Sequence, residues 1–286
     1  MFEDNSPVPE LPDVEFVRRR LTAALRGGTI TSARSKDLRL LRPQSPAAFT
    51  RGLVGRTVRE VRRRGKWLCL ELDDGTRLFS HLGMTGWWHE RGCDAPEERS
   101  ERARIDVRRG KGRCRSLRYV DSRRFGRLMV ARDDIPEWRE LGQDPFAKGI
   151  HVGTLAAALA SRRRAVKEVL MDQMVLAGIG NILATEGLWR ARVDPRSRSD
   201  ALSRADVTKI ARGLEKAIRR QLATRKKPEG EWQDVFAVYG RSGEPCPRCG
   251  STIARVVIGG RATAFCKGCQ VRSWPRARQR ESTPGQ

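Results

Sequence analysis

Four cysteines near the end of the chain have the spacing of metal ligands. Cys246 and Cys249 form one C-x2-C pair, Cys266 and Cys269 form a second, and 16 residues separate the pairs. Four thiolates form a closed tetrahedral zinc site that leaves no open position for water. The sequence therefore predicts one structural Zn²⁺ and argues against a zinc-dependent hydrolase. The segment between the pairs, with Gly259-Gly260 near its centre, predicts a β-hairpin.

The composition indicates a polyanionic partner. The 286 residues include 58 Lys and Arg against 34 Asp and Glu, which gives a net charge of +24. Such an excess favours nucleic acid over a membrane surface, because no basic amphipathic helix is evident, although a solubility role is an alternative. No apolar run approaches the roughly 20 residues of a membrane span, and no signal peptide is evident. We therefore expect a cytoplasmic protein whose partner is nucleic acid and not a membrane.

Three cysteines lie outside the array. Cys69, Cys93 and Cys114 are scattered through the first half of the chain. An odd number of scattered cysteines suits a reducing compartment better than a disulfide framework. Cys69 lies in an apolar run and is expected to be buried as a small hydrophobic residue.

Hydrophobic periodicity divides the chain into two parts. Apolar residues at 14, 17, 21 and 25 predict an opening helix that ends at Gly27-Gly28. A β-hairpin over 67–82 and short strands at 105–107, 117–120 and 128–131 are predicted next. After a boundary near 149–153, helical spacing covers 155–160, 166–176 and 205–222. The tail from Gln270 is rich in Arg, Ser and Pro and is expected to be disordered.

Six further motifs precede the cysteine array in a fixed order. They are Pro9-Glu10-Leu11-Pro12-Asp13-Val14-Glu15, Arg64-Gly65-Lys66-Trp67-Leu68, His81-Leu82-Gly83-Met84-Thr85-Gly86, Asp121-Ser122-Arg123-Arg124-Phe125-Gly126, Asp172-Gln173 with Gly178-Ile179-Gly180-Asn181, and Tyr239-Gly240-Arg241. With the array they span roughly residues 9 to 270, and their number and order argue against a chance match. In these motifs the chain resembles the formamidopyrimidine-DNA glycosylase/endonuclease VIII family of bifunctional DNA repair enzymes.

The resemblance implies an α+β multi-domain fold. An N-terminal β-sandwich with an opening helix would form the catalytic domain over residues 9–148, after an extension of residues 1–8. A helical domain of the helix–two-turns–helix type would follow over 149–234. A zinc-finger β-hairpin over 235–270 and a disordered basic tail over 271–286 would complete the chain.

The resemblance also implies a chemistry. In the family, the amino group of an N-terminal proline attacks C1′ of the damaged nucleotide, a Schiff base forms, and β- and δ-elimination cut the strand. Mapped onto this sequence, the nucleophile is Pro9 and the proton shuttle is Glu10. Lys66 and Arg261 complete the catalytic set, although a lone Lys such as Lys66 is more often a solvated strand end.

Eight residues precede Pro9. With them attached, the Pro9 nitrogen is a tertiary amide and has no lone pair for attack. Translation from Val8 is the favoured explanation, because valine can be encoded by GTG, which bacteria also use as a start codon, and removal of the initiating Met would expose Pro9. Proteolysis of the extension, or a real extension on a protein that binds DNA without excising bases, are the alternatives.

The family flips its target base and fills the void with three side chains. They correspond to Met84, Arg123 and Phe125, and the glycines beside them predict exposed loops. Core packing is the alternative for Met84 and Phe125 taken alone. The remaining DNA contacts are assigned to Arg124, Lys167, Asn181 and Arg261.

The departures from the family pattern concern the lesion. Tyr239 follows Leu222 by only 17 residues, whereas typical oxidised-purine enzymes have a longer segment with a loop that caps 8-oxoguanine. Leu183 and Asp13 stand where the family often has Tyr and Glu. The context of Lys66 is nearer to the purine branch, so oxidised purines such as formamidopyrimidine and 8-oxoguanine are expected over pyrimidines. An endonuclease VIII-like pyrimidine enzyme and a non-catalytic damaged-DNA-binding protein are the alternatives.

Overall fold

The computed structural model describes residues 8–225 and 236–273, which divide into two compact units. The first unit contains the chain up to Asp144 together with residues 221–232, and the second contains residues 145–220 and the chain from Gln233. Most of the predicted extension and most of the predicted basic tail lie outside the described residues, as does most of the short segment before Tyr239. No helix in the described ranges is long and apolar enough to cross a membrane.

The first unit is a β-sandwich behind an opening helix. Its elements are α1 (Leu11–Leu25), β1 (Thr29–Ser35), α2 (Leu38–Leu41), α3 (Pro46–Leu53), β2 (Val58–Arg64), β3 (Trp67–Leu72), β4 (Arg77–His81), β5 (Trp87–Gly92), β6 (Glu101–Arg108), β7 (Arg115–Val120), β8 (Arg127–Ala131) and α4 (Pro136–Arg139). Two antiparallel sheets have the strand orders β1-β6-β7-β5 and β2-β3-β4-β8. Both sheets and α1 contribute to one apolar core, with Val14, Ile105 and Leu78 fully buried.

The sequence predicted part of this unit. The opening helix is present as α1, and the hairpin over 67–82 is present as β3 and β4, turned by Gly75 with a φ of +83°. Strands β6, β7 and β8 cover the three predicted short strands. Strands β2 and β5 were not predicted, because charged residues such as Arg62 and Glu90 interrupt their apolar pattern.

The structure corrects the expectation for two cysteines. Cys93 and Cys114 form a disulfide with a Cα–Cα distance of 5.7 Å. The cause is strand register, because the pairing of Gly92 with Arg115 at the end of β5 and β7 places the next residues opposite each other. Cys69 is buried as expected, and burial raises the pKa of its thiol to about 12.

The second unit is helical and ends in a small hairpin. Its elements are α5 (Pro145–Lys148), α6 (Val152–Ala160), α7 (Val166–Met171), α8 (Asn181–Ala191), a 3-10 helix (Ser199–Ala201), α9 (Arg204–Thr224, whose last residues belong to the first unit), β9 (Ile253–Ile258) and β10 (Arg261–Cys266). The predicted helix over 166–176 ends early at Met171. The Gln173 side chain donates to the carbonyls of Met171 and Ile179 and accepts the Gly178 N–H, which fixes the two turns between α7 and α8. The α+β fold with sandwich, helix–two-turns–helix region and C-terminal hairpin is confirmed.

Candidate functional site

Pro9 and Glu10 are held at the start of α1. Pro9 is buried, and Glu10, the N-cap residue of α1, is 2 % exposed. The Glu10 N–H donates to Asp13 Oδ2 at 2.8 Å, which satisfies one of the backbone donors that a helix start leaves unpaired. Asp13 Oδ1 accepts a hydrogen bond from Arg225 Nε at 2.8 Å, and both side chains are buried. Asp13 therefore fixes the backbone of Glu10, and Arg225 fixes Asp13.

Lys66 lies in the tight turn between β2 and β3, behind Gly65 with a φ of +58°. Asp144 Oδ2 accepts the Gly65 N–H at 2.8 Å, and the two oxygens of Asp144 form a bidentate ion pair with Arg63, Oδ2 at 2.7 Å and Oδ1 at 3.0 Å. Arg63 Nε also donates to Glu15 Oε2 on α1 at 3.1 Å. Helix α1, which Glu10 caps, and the turn that presents Lys66 are therefore joined by one buried network of charges.

Glu15 remains ionised at the centre of this network. Its burial favours the neutral acid, but hydrogen bonds from Arg18 and Arg19 and the charge of Arg63 outweigh that effect and hold the pKa of Glu15 below its ordinary value. A buried carboxylate with such partners stabilises the fold only while the partners are present.

The predicted void-filling residues lie on two adjoining loops of the first unit. Met84 is half-buried in the loop between β4 and β5, and Arg123 and Phe125 are exposed in the loop between β7 and β8. Phe125 is 54 % exposed, and the Arg123 guanidinium carbon lies 5.2 Å from its ring centroid. An exposed ring with a cation above it is available for stacking on a base.

His81 supports the Met84 loop. Burial, and after it the charges of Lys66 and Arg127, lower the pKa of His81 to about 4. Its imidazole is therefore neutral near pH 7, and Nδ1 accepts the Gly83 N–H at 3.0 Å.

Arg124, a predicted phosphate contact, is paired with a carboxylate in this structure. Its guanidinium forms a two-pronged ion pair with Asp37 at 2.7 and 3.0 Å, and its backbone has a left-handed φ of +58°. Asp37 also caps α2 by accepting the N–H groups of Arg39 and Leu40. Burial works against ionisation of Asp37, but the hydrogen bond from Arg124 helps to hold its pKa below the ordinary value. In this structure the Arg124 charge is neutralised within the protein.

Lys167, another predicted DNA-binding residue, is hydrogen-bonded inside the second unit. It is fully buried in α7, and its Nζ donates to Asn181 Oδ1 and, at 2.6 Å, to the Thr263 hydroxyl on β10. Asn181 is the first residue of α8, and its Nδ2 donates to the Ala262 carbonyl at 3.2 Å. Lys167 positions Asn181 against the hairpin, while Arg261 is exposed at the start of β10.

Glu186 is a positioning residue that the sequence did not reveal. It is 3 % exposed on α8, and its carboxylate accepts the backbone N–H groups of Ala237, Val238 and Tyr239 at 2.9–3.1 Å. Arg190 neutralises it at 2.6 Å. These bonds fix the start of the Tyr239-Gly240-Arg241 motif.

The four array cysteines converge as predicted. The sulfur atoms of Cys246, Cys249, Cys266 and Cys269 all lie within 4.8 Å of one another. A tetrahedral ion with Zn–S bonds of about 2.3 Å places its sulfurs about 3.8 Å apart, and two of the pairs lie at 3.4 and 3.9 Å. The donor set and its dimensions therefore fit zinc.

Comparisons with known proteins agree with this geometry. The formamidopyrimidine-DNA glycosylase N-terminal domain matches residues 8–128, the H2TH domain of the same enzymes matches 141–229, and the zinc finger found in FPG and IleRS matches 243–271. The formamidopyrimidine-DNA glycosylase of Chloroflexus aurantiacus is 36 % identical over 92 % of this chain and 98 % of its own length, and that of Moorella thermoacetica is 37 % identical over 87 % and 94 %. The Lactococcus lactis enzyme, solved non-covalently bound to DNA containing an AP site, has a TM-score of 0.82 and 29 % identity over 92 % of this chain and 99 % of its own. The chain belongs to the formamidopyrimidine-DNA glycosylase family.

Proposed function

We propose that this protein is a base-excision repair glycosylase with AP lyase activity that removes oxidised bases from double-stranded DNA. The observation that carries the proposal is a network of buried hydrogen bonds around α1, in which Asp13 holds the backbone of Glu10 and, separately, Asp144 holds the β2–β3 turn that carries Lys66. Family membership supplies the reaction class, and this network supplies the rigid placement that the reaction needs.

Pro9 is the proposed nucleophile. Its amine nitrogen forms a bond to C1′ as the glycosidic bond breaks, and the base leaves with the bonding electrons and takes up a proton. Glu10 transfers a proton to the sugar ring oxygen as the ring opens to the Schiff base, and it then assists β- and δ-elimination of the two phosphates. Lys66 stabilises the negative charge that develops near the opening sugar or the departing base, and Arg261 is the remaining member of the proposed catalytic set.

The remaining residues open and hold the DNA. Met84, Arg123 and Phe125 fill the void left by the flipped nucleotide, because a ring and a thioether replace lost stacking and a guanidinium can bond the orphaned base. Asn181 and Arg261 contact phosphates, and Lys167 holds Asn181 in place. One Zn²⁺ held by the four array cysteines would cross-link the hairpin and take no part in the reaction.

The proposed lesions are oxidised purines, with an endonuclease VIII-like pyrimidine range as the alternative. The short connection between Leu222 and Tyr239 supports the alternative, since it leaves little room for a capping loop. We further propose that the protein acts as a monomer in the bacterial cytoplasm, on nucleoid DNA.

A non-catalytic DNA-binding role is the second candidate function, favoured by the eight residues that precede Pro9. The match to the family's N-terminal domain begins at residue 8, the position that would encode the initiating Met if translation started at Val8. The two functions share every DNA contact and differ only at the Pro9 nitrogen.

The first experiment is the intact mass of the protein made from its native gene, with borohydride trapping on abasic-site DNA in the same sample. We expect the mass of a chain whose first residue is Pro9, together with a covalent adduct to the DNA. The matched control is the chain that starts at Met1, which should bind the same DNA without forming an adduct. A Glu10→Gln variant should bind DNA but lose base excision, and retained excision would remove Glu10 from the mechanism.

A further inference from the structure

A buried carboxylate joins the two loops that carry the proposed void-filling residues. Asp121 follows β7 directly and is fully buried. Its Oδ1 accepts the Thr85 hydroxyl at 2.5 Å and the Arg123 N–H at 3.2 Å, and its Oδ2 accepts the Gly126 N–H at 2.8 Å. Thr85 belongs to the Met84 loop, whereas Arg123 and Gly126 flank Phe125. One side chain therefore bonds both loops.

The Thr85 hydroxyl completes the connection. While it donates to Asp121, its oxygen accepts the Arg123 N–H at 3.1 Å. The Arg123 N–H therefore donates both to Asp121 in its own loop and to Thr85 in the neighbouring loop. A shift of either loop would leave the buried Asp121 carboxylate without a donor, which is energetically costly.

The two loops also touch through their backbones. A Cβ at Gly83, where φ is +66°, would lie 2.5 Å from the carbonyl carbon of Phe125. A Cβ at Gly86 or Gly126 would lie 2.1 or 1.9 Å from the Tyr119 hydroxyl, which donates to the His81 carbonyl at 2.9 Å. No side chain larger than hydrogen fits at these three positions, so the loops pack as one body.

We propose that Asp121 is a positioning residue that makes the Met84 loop and the Arg123–Phe125 loop a single rigid wedge. This inference rests on the proposed function, in which the three side chains replace a flipped nucleotide. Discrimination between damaged and intact duplex requires all three to enter the void together, because each alone replaces only part of the lost stacking. Asp121 touches no DNA in this role and acts through the loops.

The Asp121→Asn variant tests the inference. All three groups around Asp121 donate hydrogens, so an amide must turn its own NH2 towards at least one of them. We expect affinity for a duplex containing a tetrahydrofuran abasic site to fall about tenfold, the order of effect of a lost bond to a charged group. Affinity for the intact duplex and for the same abasic strand without its complement should stay within about twofold.

Two further variants separate positioning from general destabilisation. Thr85→Val removes the shared hydroxyl at similar volume and should show the same selective loss. Asp134→Asn makes the same chemical change at a half-exposed aspartate paired with Arg77 and should change neither affinity. Combining Asp121→Asn with Phe125→Ala should cost less than the sum of the single losses, because both act on one wedge.

The inference is overturned if Asp121→Asn leaves the preference for the abasic duplex intact, if intact and abasic duplex weaken in parallel, or if the losses simply add. The binding measurements need no free Pro9 amine. A chain starting at Pro9 that gives no borohydride adduct would therefore refute the proposed lyase activity. The binding data for the Asp121 and Thr85 variants would still test the positioning role of Asp121.

Discussion

Helix α1 of the first unit and the β9–β10 hairpin of the second unit are stabilised in different ways. Helix α1 buries Val14, Val17 and Leu21 in a core shared by both sheets, and buried ion pairs then fix its first turn. Hairpin β9–β10 has a much smaller core, formed around Val238 and Ile253 with two of the cysteines. Burial stabilises the start of α1, whereas we expect the hairpin to be too small to fold on burial alone and to require a metal bound by its four thiolates.

Removing the metal should have the largest effect, and it should destabilise the hairpin without destabilising α1. Structural zinc contributes apparent binding energies of about 10–16 kcal/mol in small modules, so chelation should unfold the hairpin and leave the sandwich folded. Hydrogen exchange should rise over β9 and β10 and stay slow over α1 and β3. Chelation without a reductant keeps the Cys93–Cys114 disulfide as an internal control. Unchanged protection of the hairpin after proven metal loss would contradict this account.

Breaking an ion pair at the start of α1 should have the next largest effect. Arg225→Met leaves the Asp13 carboxylate buried without its cation, which should lower the free energy of unfolding by about 3 kcal/mol. The midpoint of urea unfolding measures the loss. Adding Asp13→Asn should recover part of it, because no buried charge then lacks a partner. A single variant as stable as the parent would show that the pair does not hold the start of α1.

Acid should weaken the first unit through His81. Because its pKa is lowered to about 4 in the folded protein, the unfolded chain binds the proton first, and stability falls as the pH drops from about 6.5 towards 4. The loss should reach about 2 kcal/mol near pH 5. His81→Asn keeps an acceptor for the Gly83 N–H without titrating there and should flatten the pH dependence. Exposed His151→Gln is the control, and equal slopes in both variants would exclude His81.

The smallest expected effect is on the salt dependence of DNA binding. It should distinguish Lys167, which positions Asn181, from Arg261, which is proposed to contact a phosphate. Lys167→Met removes the ammonium that holds Asn181, so DNA affinity should fall about tenfold with an unchanged salt slope. Arg261→Ala removes an exposed cation, so the slope should fall by about 0.9, the value for one phosphate. A reduced slope for Lys167→Met would mean that its ammonium reaches DNA after rearrangement.

The sequence was most informative where function depends on local spacing. The spacing of the four array cysteines predicted that their sulfur atoms converge, because two residues between thiols allow both sulfurs to bind one ion. The glycines around Met84 and Phe125 predicted loops, and Asp74-Gly75 predicted a hairpin. Each of these features is determined within a few residues.

Sequence reasoning failed where a partner is distant in the chain. Asp144 bonds Gly65 across 79 positions, and Arg225 bonds Asp13 across 212. Nothing in the residues beside Lys167 or Arg124 showed that their charges are used inside the protein. The Cys93–Cys114 bond was likewise missed, because it follows from the register of β5 and β7.

The sequence by itself therefore determined the family, the ligands of the expected zinc and the set of residues available for chemistry. The tertiary structure decided which of the basic residues remain exposed to solvent and which neutralise buried carboxylates. The physical reason is that a motif specifies side-chain types, whereas a charge acquires its role only when folding sets its burial and its partner. Asp121, one residue of a recognisable motif, connects two loops only because strands β4 and β7 end at the same place in the fold.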